Sequence, residues 1–267
     1  MPLLKGLTGW GRDVLRTLFP ATCVVCQRRL TGGETYICAT CMMQLPYTRF
    51  KGARGNVVER LFWGKAPVVR ANAWLHYKSH SAYKLPILSV KYFRNPRLGL
   101  YLGEQMAYDV AGTDFFEGVD AIVPVPLHRK RIKHRGYNQS ERLAAGISRV
   151  TGIPVWTDVA VRQVNTTTQT ALTHSERREN VSGIFALAAP ERVQGCHLLL
   201  VDDVVTTGAT LLSLARALCR ADGVRVSIMA CAMAGRHMMR ADDYVNWHRD
   251  DEDTPPYHSA TVIKDPI

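Results

Sequence analysis

Long apolar runs are missing from this 267-residue chain. Its hydrophobic stretches are broken by charge, proline or glycine before they reach the roughly 20 residues that a membrane-spanning helix requires, so no membrane span is expected. The first twenty residues also lack the continuous apolar core and the small-residue cleavage site of a secretory signal. Leu3, Leu4, Leu7, Trp10, Val14, Leu15 and Leu18 recur there among Lys5, Arg12, Asp13 and Arg16, as on an amphipathic helix. A mitochondrial-type transit segment competes for the same pattern, but nothing after it supports removal, and a cytoplasmic location is expected. Negative charge is scarce as well: 23 Asp and Glu stand against 34 Lys and Arg, for a net charge of +11. The acids collect at one end, where Asp242 to Ile267 holds seven acids and two bases, a net of −5 that leaves +16 on the rest. A basic body of this kind suits a polyanion, whether nucleic acid or a highly charged pyrophosphate substrate, and charge alone does not choose between them. With 46% hydrophobic and 21% charged residues the composition is that of an ordinary soluble protein. The length allows one sizeable α/β domain plus a small module.

What is present is concentrated in Leu198-Leu199-Leu200-Val201-Asp202-Asp203-Val204-Val205-Thr206-Thr207-Gly208-Ala209-Thr210. An apolar run ends in two adjacent carboxylates and passes through a Thr-Thr-Gly-x-Thr turn into the helical pattern Leu211 to Cys219. The order strand, polar turn, helix places free backbone N–H groups and three hydroxyls at a helix N-terminus, which is a phosphate site. The acids stand one step earlier, at the carboxyl end of the strand, where open α/β sheets bind ligands. A phosphorylated sugar satisfies both halves, with its phosphate in the turn and its vicinal hydroxyls on the carboxylates. A buried strand whose acids merely cap the next helix needs one acid and no such turn.

Structural disulfides are not expected of seven cysteines at cytoplasmic redox poise. Cys23-x2-Cys26 and Cys38-x2-Cys41, eleven residues apart, have the spacing of a closed, structural four-thiolate zinc site. The stretch between them, around Thr31-Gly32-Gly33-Glu34, is expected to be a short hairpin, too small to hold itself together without a metal. Redox and iron–sulfur chemistry are the alternatives for these thiols. Cys196, Cys219 and Cys231 lie in apolar patterns and are expected to be buried bystanders. Arg28, Arg29, Arg49, Lys51 and Arg54 leave open whether the module touches nucleic acid or simply presents a solvated basic face.

Asp120 to Leu127 reads as a buried parallel strand ending in a Pro-stiffened turn. It runs into the basic loop His128-Arg129-Lys130-Arg131-Ile132-Lys133-His134-Arg135-Gly136-Tyr137-Asn138-Gln139, and a helix is expected from about Ser140. In a parallel sheet this loop and the Asp-Asp turn follow strand carboxyl ends and share one edge, where cations and N–H donors together suit a strongly anionic group. A general nucleic-acid or nuclear-localisation patch is the competing account of the run. Lys91, before an amphipathic helix through Leu98, Leu102 and Met106, either reaches a phosphate or is a surface lysine. The polar span 162–185, with Thr166-Thr167-Thr168-Gln169 and Arg177-x-x-Asn180, reads as a lid. Residues 237–267 read as a loosely attached tail.

Taken together, the paired CxxC motifs, Pro124-Val125-Pro126, Arg131, Arg135-Gly136-Tyr137-Asn138-Gln139, Phe185 and Asp-Asp-Val-Val-Thr-Thr-Gly-Ala-Thr resemble the ComF family over roughly Leu15 to Ala234. The family comprises bacterial phosphoribosyltransferase-like proteins linked to natural competence and DNA utilisation, including the GntX type. The Asp-Asp turn itself resembles the 5-phosphoribosyl 1-pyrophosphate (PRPP) signature of type I phosphoribosyltransferases. The resemblance implies an α/β fold with a type I phosphoribosyltransferase-like parallel sheet, helices on both faces, and a small N-terminal zinc-ribbon-like module. The expected division is 1–55 for the amphipathic helix and cysteine module, 56–234 for the phosphoribosyltransferase-like domain and 235–267 for the tail. The resemblance implies PRPP with Mg²⁺, the 5-phosphate on Thr206, Thr207, Gly208 and Thr210, and the ribose on Asp202 and Asp203. Arg131 and Arg135, with Lys91, would face the pyrophosphate, and Val204, Ala209 and Pro126 are further substrate-binding residues. No general acid or base and no acceptor pocket can be read, and transfers of this type rest on orientation and electrostatics. The alternative implied by the family is a non-catalytic PRPP sensor or a scaffold handling single-stranded DNA beside helicase-like and recombination-loading partners.

Overall fold

The computed structural model describes residues 21–92, 95–163 and 184–235. The amphipathic N-terminal segment, most of the expected lid and the acidic tail lie outside these residues.

The strands are β1 (Val68–His76), β2 (Ala121–Pro124), β3 (Ala160–Arg162), β4 (Phe185–Leu187), β5 (His197–Val205) and β6 (Arg225–Met233). Four of them form a parallel sheet in the order β1-β6-β5-β2, while β3 and β4 pair antiparallel as a separate two-stranded sheet. The strand expected at Pro154–Val155 is reduced to one parallel bridge, Val155 to Ile122, outside β2. Parallel strands need crossovers, and helices supply them on both faces. The α-helices of the described residues are α1 (Ala39–Met43) and α2 (Val57–Arg60), both ahead of β1, then α3 (Leu85–Tyr92), α4 (Pro96–Asp109), α5 (Arg129–Arg135), α6 (Gln139–Thr151), α7 (Pro190–Val193) and α8 (Ala209–Leu218).

Because side chains alternate along a strand, the continuous apolar run of β5 feeds two cores. Leu199 and Val201 join Met229, Leu75 and the α4 and α6 residues Leu98, Leu102, Leu143 and Ile147. Leu198 and Leu200 join Val226, Ile228, Phe62 of the α2 turn and the α8 residues Leu211, Leu214 and Leu218. Each side chain fully removed from water in this way contributes about 1.5–3 kcal/mol. α4 and α6 approach to backbone contact: a Cβ on Gly103 would stand 2.0 Å from the Leu143 carbonyl oxygen, and one on Gly146 2.0 Å from that of Leu100. Only glycine at both positions permits this crossing.

Two sequence expectations change form. The antiparallel bridge Thr22 to Arg29 encloses the first cysteine pair, and the stretch between the pairs holds a turn closed by the Glu34 N–H on the Thr31 carbonyl in place of a hairpin. The basic run after β2 is the helix α5 rather than a loop, with the His128 ring accepting from the Lys130 N–H and Gly136 closing it in the left-handed region at φ 84°. The cysteine module joins the larger core directly, since Cys23, Val25, Ile37, Cys38, Cys41 and Leu45 share one buried cluster with Trp74, Leu75, Leu98 and Leu102. Among the remaining cysteines Cys231 is buried, whereas Cys196 and Cys219 are only half-buried. Among the described residues no helix is long and apolar enough to cross a membrane.

Candidate functional site

β5 carries its last carboxylates, Asp202 and Asp203, to the carboxyl edge of the sheet, and the chain turns there into α8. The turn depends on Gly208, whose φ of 75° suits glycine and whose missing Cβ leaves room for the Phe62 ring, 3.0 Å from where that atom would be. Thr206 and Thr207 are exposed. The Thr207 Oγ1 accepts the Ala209 N–H at 3.4 Å, and the first α8 amides open toward the turn. A helix of this length carries the positive end of its dipole here.

The two carboxylates are not equivalent. Asp202 Oδ1 accepts from the Ser140 hydroxyl at 3.1 Å and from the Asp203 N–H at 2.9 Å, while Asp203 Oδ2 lies 3.0 Å from Lys91 Nζ. Burial first, then the neighbouring Asp203 charge, push the Asp202 carboxyl up to about 7; its hydrogen bonds and the Lys91 charge act against that rise. Two adjacent carboxylates at a dry strand end cannot both ionise without a cation, and Lys91 is the cation placed beside them.

Three consecutive residues at the end of α3 are held by the elements around the cleft. The Val90 carbonyl accepts from Tyr137 Oη in the α5–α6 turn, Lys91 pairs with Asp203, and the Tyr92 ring lies 5.3 Å below the Arg135 guanidinium. Arg135 also donates to Gln139 Oε1 at 3.0 Å.

A cleft of about 290 Å³ gathers Lys91, Arg131, Arg135, Asp202, Asp203, Val204 and Thr210, all expected from the sequence. Thr206, Thr207, Gly208 and Ala209 form the turn beside it rather than its lining, and Pro126 stands between the lining residues Val125 and Leu127. Gln139, Ser140 and Arg162 also line it. Ser140 and Gln139 are buried in the first turn of α6, where Asn138 caps the helix and binds the Val125 carbonyl at 3.0 Å. Arg162, at the end of β3, has no spacing signal in the sequence that marks it for the cleft.

In the cysteine module the Sγ atoms of Cys23, Cys26, Cys38 and Cys41 all lie within 4.8 Å of one another. Cys26 and Cys38 Sγ are 3.8 Å apart, the edge of a tetrahedron whose metal–sulfur bonds are about 2.3 Å. The Cys38 N–H points at Cys23 Sγ (3.3 Å) and the Cys41 N–H at Cys38 Sγ (3.4 Å), as thiolate ligands require. Glu34 closes the turn between the pairs: it accepts from the Thr31 and Ala39 N–H groups and pairs with Arg28 at 2.7 Å. Those backbone donors, Thr31 first, hold its carboxyl down at about 2. The donor set fits one tetrahedral soft-metal ion.

Residues 132–255 match the phosphoribosyl transferase domain family; Lys91 and Arg131 stand before the matched span. The DNA utilization protein YhgH of Salmonella typhi is 32% identical over 163 residues, covering 58% of this chain and 70% of that protein. Competence protein F of Haemophilus influenzae is 28% identical over 242 residues, covering 82% of this chain and the whole of the relative. Among solved structures, the glutamine PRPP amidotransferase of B. subtilis aligns at TM-score 0.40 and 17% identity, over 63% of this chain and 39% of that one. With paired cysteine motifs, an Asp-Asp turn at the end of a parallel strand, and these relatives, the chain belongs to the ComF family of phosphoribosyltransferase-like proteins.

Proposed function

We propose that this protein binds Mg²⁺-PRPP in the cleft at the end of β5, and that its four cysteines hold a structural zinc ion. The observation that carries the first part is the junction of β5 and α8, where a carboxylate pair, a Thr-Thr-Gly-x-Thr turn and a cleft lined by four cations meet. In this reading the 5-phosphate sits on the turn, held by the hydroxyls of Thr206, Thr207 and Thr210 and the amides opening α8. Asp202 and Asp203 take the ribose hydroxyls. Arg131 and Arg135 face the pyrophosphate, joined by Lys91 once the ribose replaces it on Asp203. Mg²⁺ would arrive with the pyrophosphate and neutralise part of its charge. In a transfer reaction the C1–O bond to pyrophosphate breaks with the electron pair leaving on oxygen, and an acceptor atom bonds to C1. The arginines then counter the charge gathering on the leaving group, and the carboxylates lie beside the positive ribosyl centre. A role in competence or DNA utilisation, which the names of the relatives support, and a cytoplasmic location belong to the same proposal.

Calorimetric titration with PRPP, with and without Mg²⁺, tests the reading. Mg²⁺-dependent binding tighter than that of ribose 5-phosphate or pyrophosphate alone is the expected result, lost in Asp202→Asn with Asp203→Asn. Equal affinity for PRPP in that double variant would remove the ribose assignment. A second reading, a non-catalytic scaffold for single-stranded DNA, is favoured by α5, whose Arg129, Lys130 and Lys133 are exposed beside the cleft. DNA affinity that falls steeply with salt, in a protein that binds no PRPP, would favour it.

A further inference from the structure

Among the described residues, Arg162 is the one cation of the cleft to which the PRPP reading gives no role. It enters from β3, in the two-stranded sheet, whereas Arg131 and Arg135 come from α5 behind β2 and Lys91 comes from α3. Its guanidinium lies 5.4 Å from the Phe185 ring across the β3–β4 pair, which fixes the side chain to its own small sheet. It is half-buried, and close enough to Arg131 and to Asp202 for both charges to act on it. Burial and Arg131 disfavour its charge and Asp202 supports it. A guanidinium so placed stays charged, so the site gains from an anion set on the Arg162 side of the cleft.

The balance of the lining points the same way. Among the described residues four cations, Lys91, Arg131, Arg135 and Arg162, face two carboxylates, one of them pushed toward its neutral form. The described lining contains no aromatic ring on which a neutral base could stack; the apolar contribution is Val125, Leu127 and Val204. The Tyr92 ring is covered by Arg135 and the Phe185 ring by Arg162. Resting on the PRPP reading above, we infer that the second ligand of the cleft, the acceptor of the phosphoribosyl group, is an anion anchored through a carboxylate or phosphate by Arg162. A bidentate guanidinium–oxyanion pair gives both orientation and affinity.

The test uses the full chain in two titrations. The first measures Mg²⁺-PRPP binding to wild type, and failure there removes the PRPP reading and this inference with it. The second titrates PRPP-saturated protein with three pairs of probes that differ in one anionic group: orotate and uracil, nicotinate and nicotinamide, phenyl phosphate and phenol. At least one anion is expected to bind about tenfold or more tighter than its neutral partner, and which pair responds tells carboxylate from phosphate. Arg162→Gln should weaken the anionic probe by a larger factor than PRPP, and Arg131→Gln the reverse. Arg162→Lys, which keeps the charge and the stem over Phe185, should recover part of the loss and control for folding of the small sheet. Equal binding of charged and neutral partners, no binding of any anion, or an Arg162→Gln variant that loses PRPP as Arg131→Gln does would each overturn the inference.

Discussion

Lys91 Nζ lies 3.0 Å from Asp203 Oδ2, so the acidic pair that would meet a ribose already has a cation of its own. The pairing explains how two carboxylates coexist at a buried strand end, and it makes Lys91 the group a ligand must displace. Its removal should therefore act on PRPP and not on the phosphate turn. Lys91→Met is expected to lower PRPP affinity by about 10- to 100-fold, the range of a lost charge-assisted hydrogen bond. Ribose 5-phosphate affinity should change less, and the two titrations side by side check the difference.

Asp202 carries a pH dependence. Its folded-state carboxyl is raised from 3.8 to about 7 by burial and by Asp203, so between those values the native state holds a proton that the unfolded chain has lost. Stability contributed by this residue is therefore present below about pH 4 and is lost as pH rises through about 7. Asp202→Asn should melt above wild type at pH 8 and by a clearly smaller margin at pH 5, in ligand-free thermal unfolding. An equal difference at both pH values would contradict the assignment.

The glycine contact between α4 and α6 gives a sharper stability prediction. Gly103→Ala drives a methyl group into the Leu143 carbonyl, and the helices must separate, at a cost of about 2 kcal/mol or more. Gly32→Ala, at a position with nothing within 4 Å and no positive φ, should be near neutral. Urea unfolding of the two variants measures the contrast.

Metal removal should reach the main core. Cys23, Cys38 and Cys41 are buried in the cluster that includes Trp74, so chelation or Cys38→Ser should lower the melting temperature of the whole protein and alter tryptophan fluorescence. Purified wild type should carry one equivalent of zinc by elemental analysis. A full complement in Cys38→Ser would remove that residue from the ligand set.

The parts of the fold and of the site that the sequence makes legible are those whose chemistry is local. β5, its turn and α8 are written in one continuous stretch, because a buried parallel strand is apolar throughout and the Thr-Thr-Gly-x-Thr turn is contiguous. The four cysteines are legible for the same reason. α5 is not, because seven residues dominated by charge have no apolar periodicity, and its ends are set by a histidine ring and by Gly136. Ser140 reads as a helix start; its bond to Asp202, 62 residues away, is made only by the packing of α6 on β5. Arg162 belongs to a three-residue strand before a polar run, and only the placement of β3 beside the sheet edge carries it to the cleft. The close approach of Gly103 and Gly146 is likewise a property of two helices together.

The shared core of the cysteine module and the sheet sets limits on dissection. Residues 46–48 lie along β1, where the His76 N–H donates to the Pro46 carbonyl and the Thr48 N–H to that of Trp74, and the Tyr36 and Tyr101 rings meet 5.4 Å apart. A fragment beginning at residue 56 would strip one wall from α4 and bare Trp74 and Leu75 to water, leaving a sticky half-domain. Ligand studies on such a truncated piece would report its collapse rather than its affinity, so the smallest useful expression product keeps the cysteines.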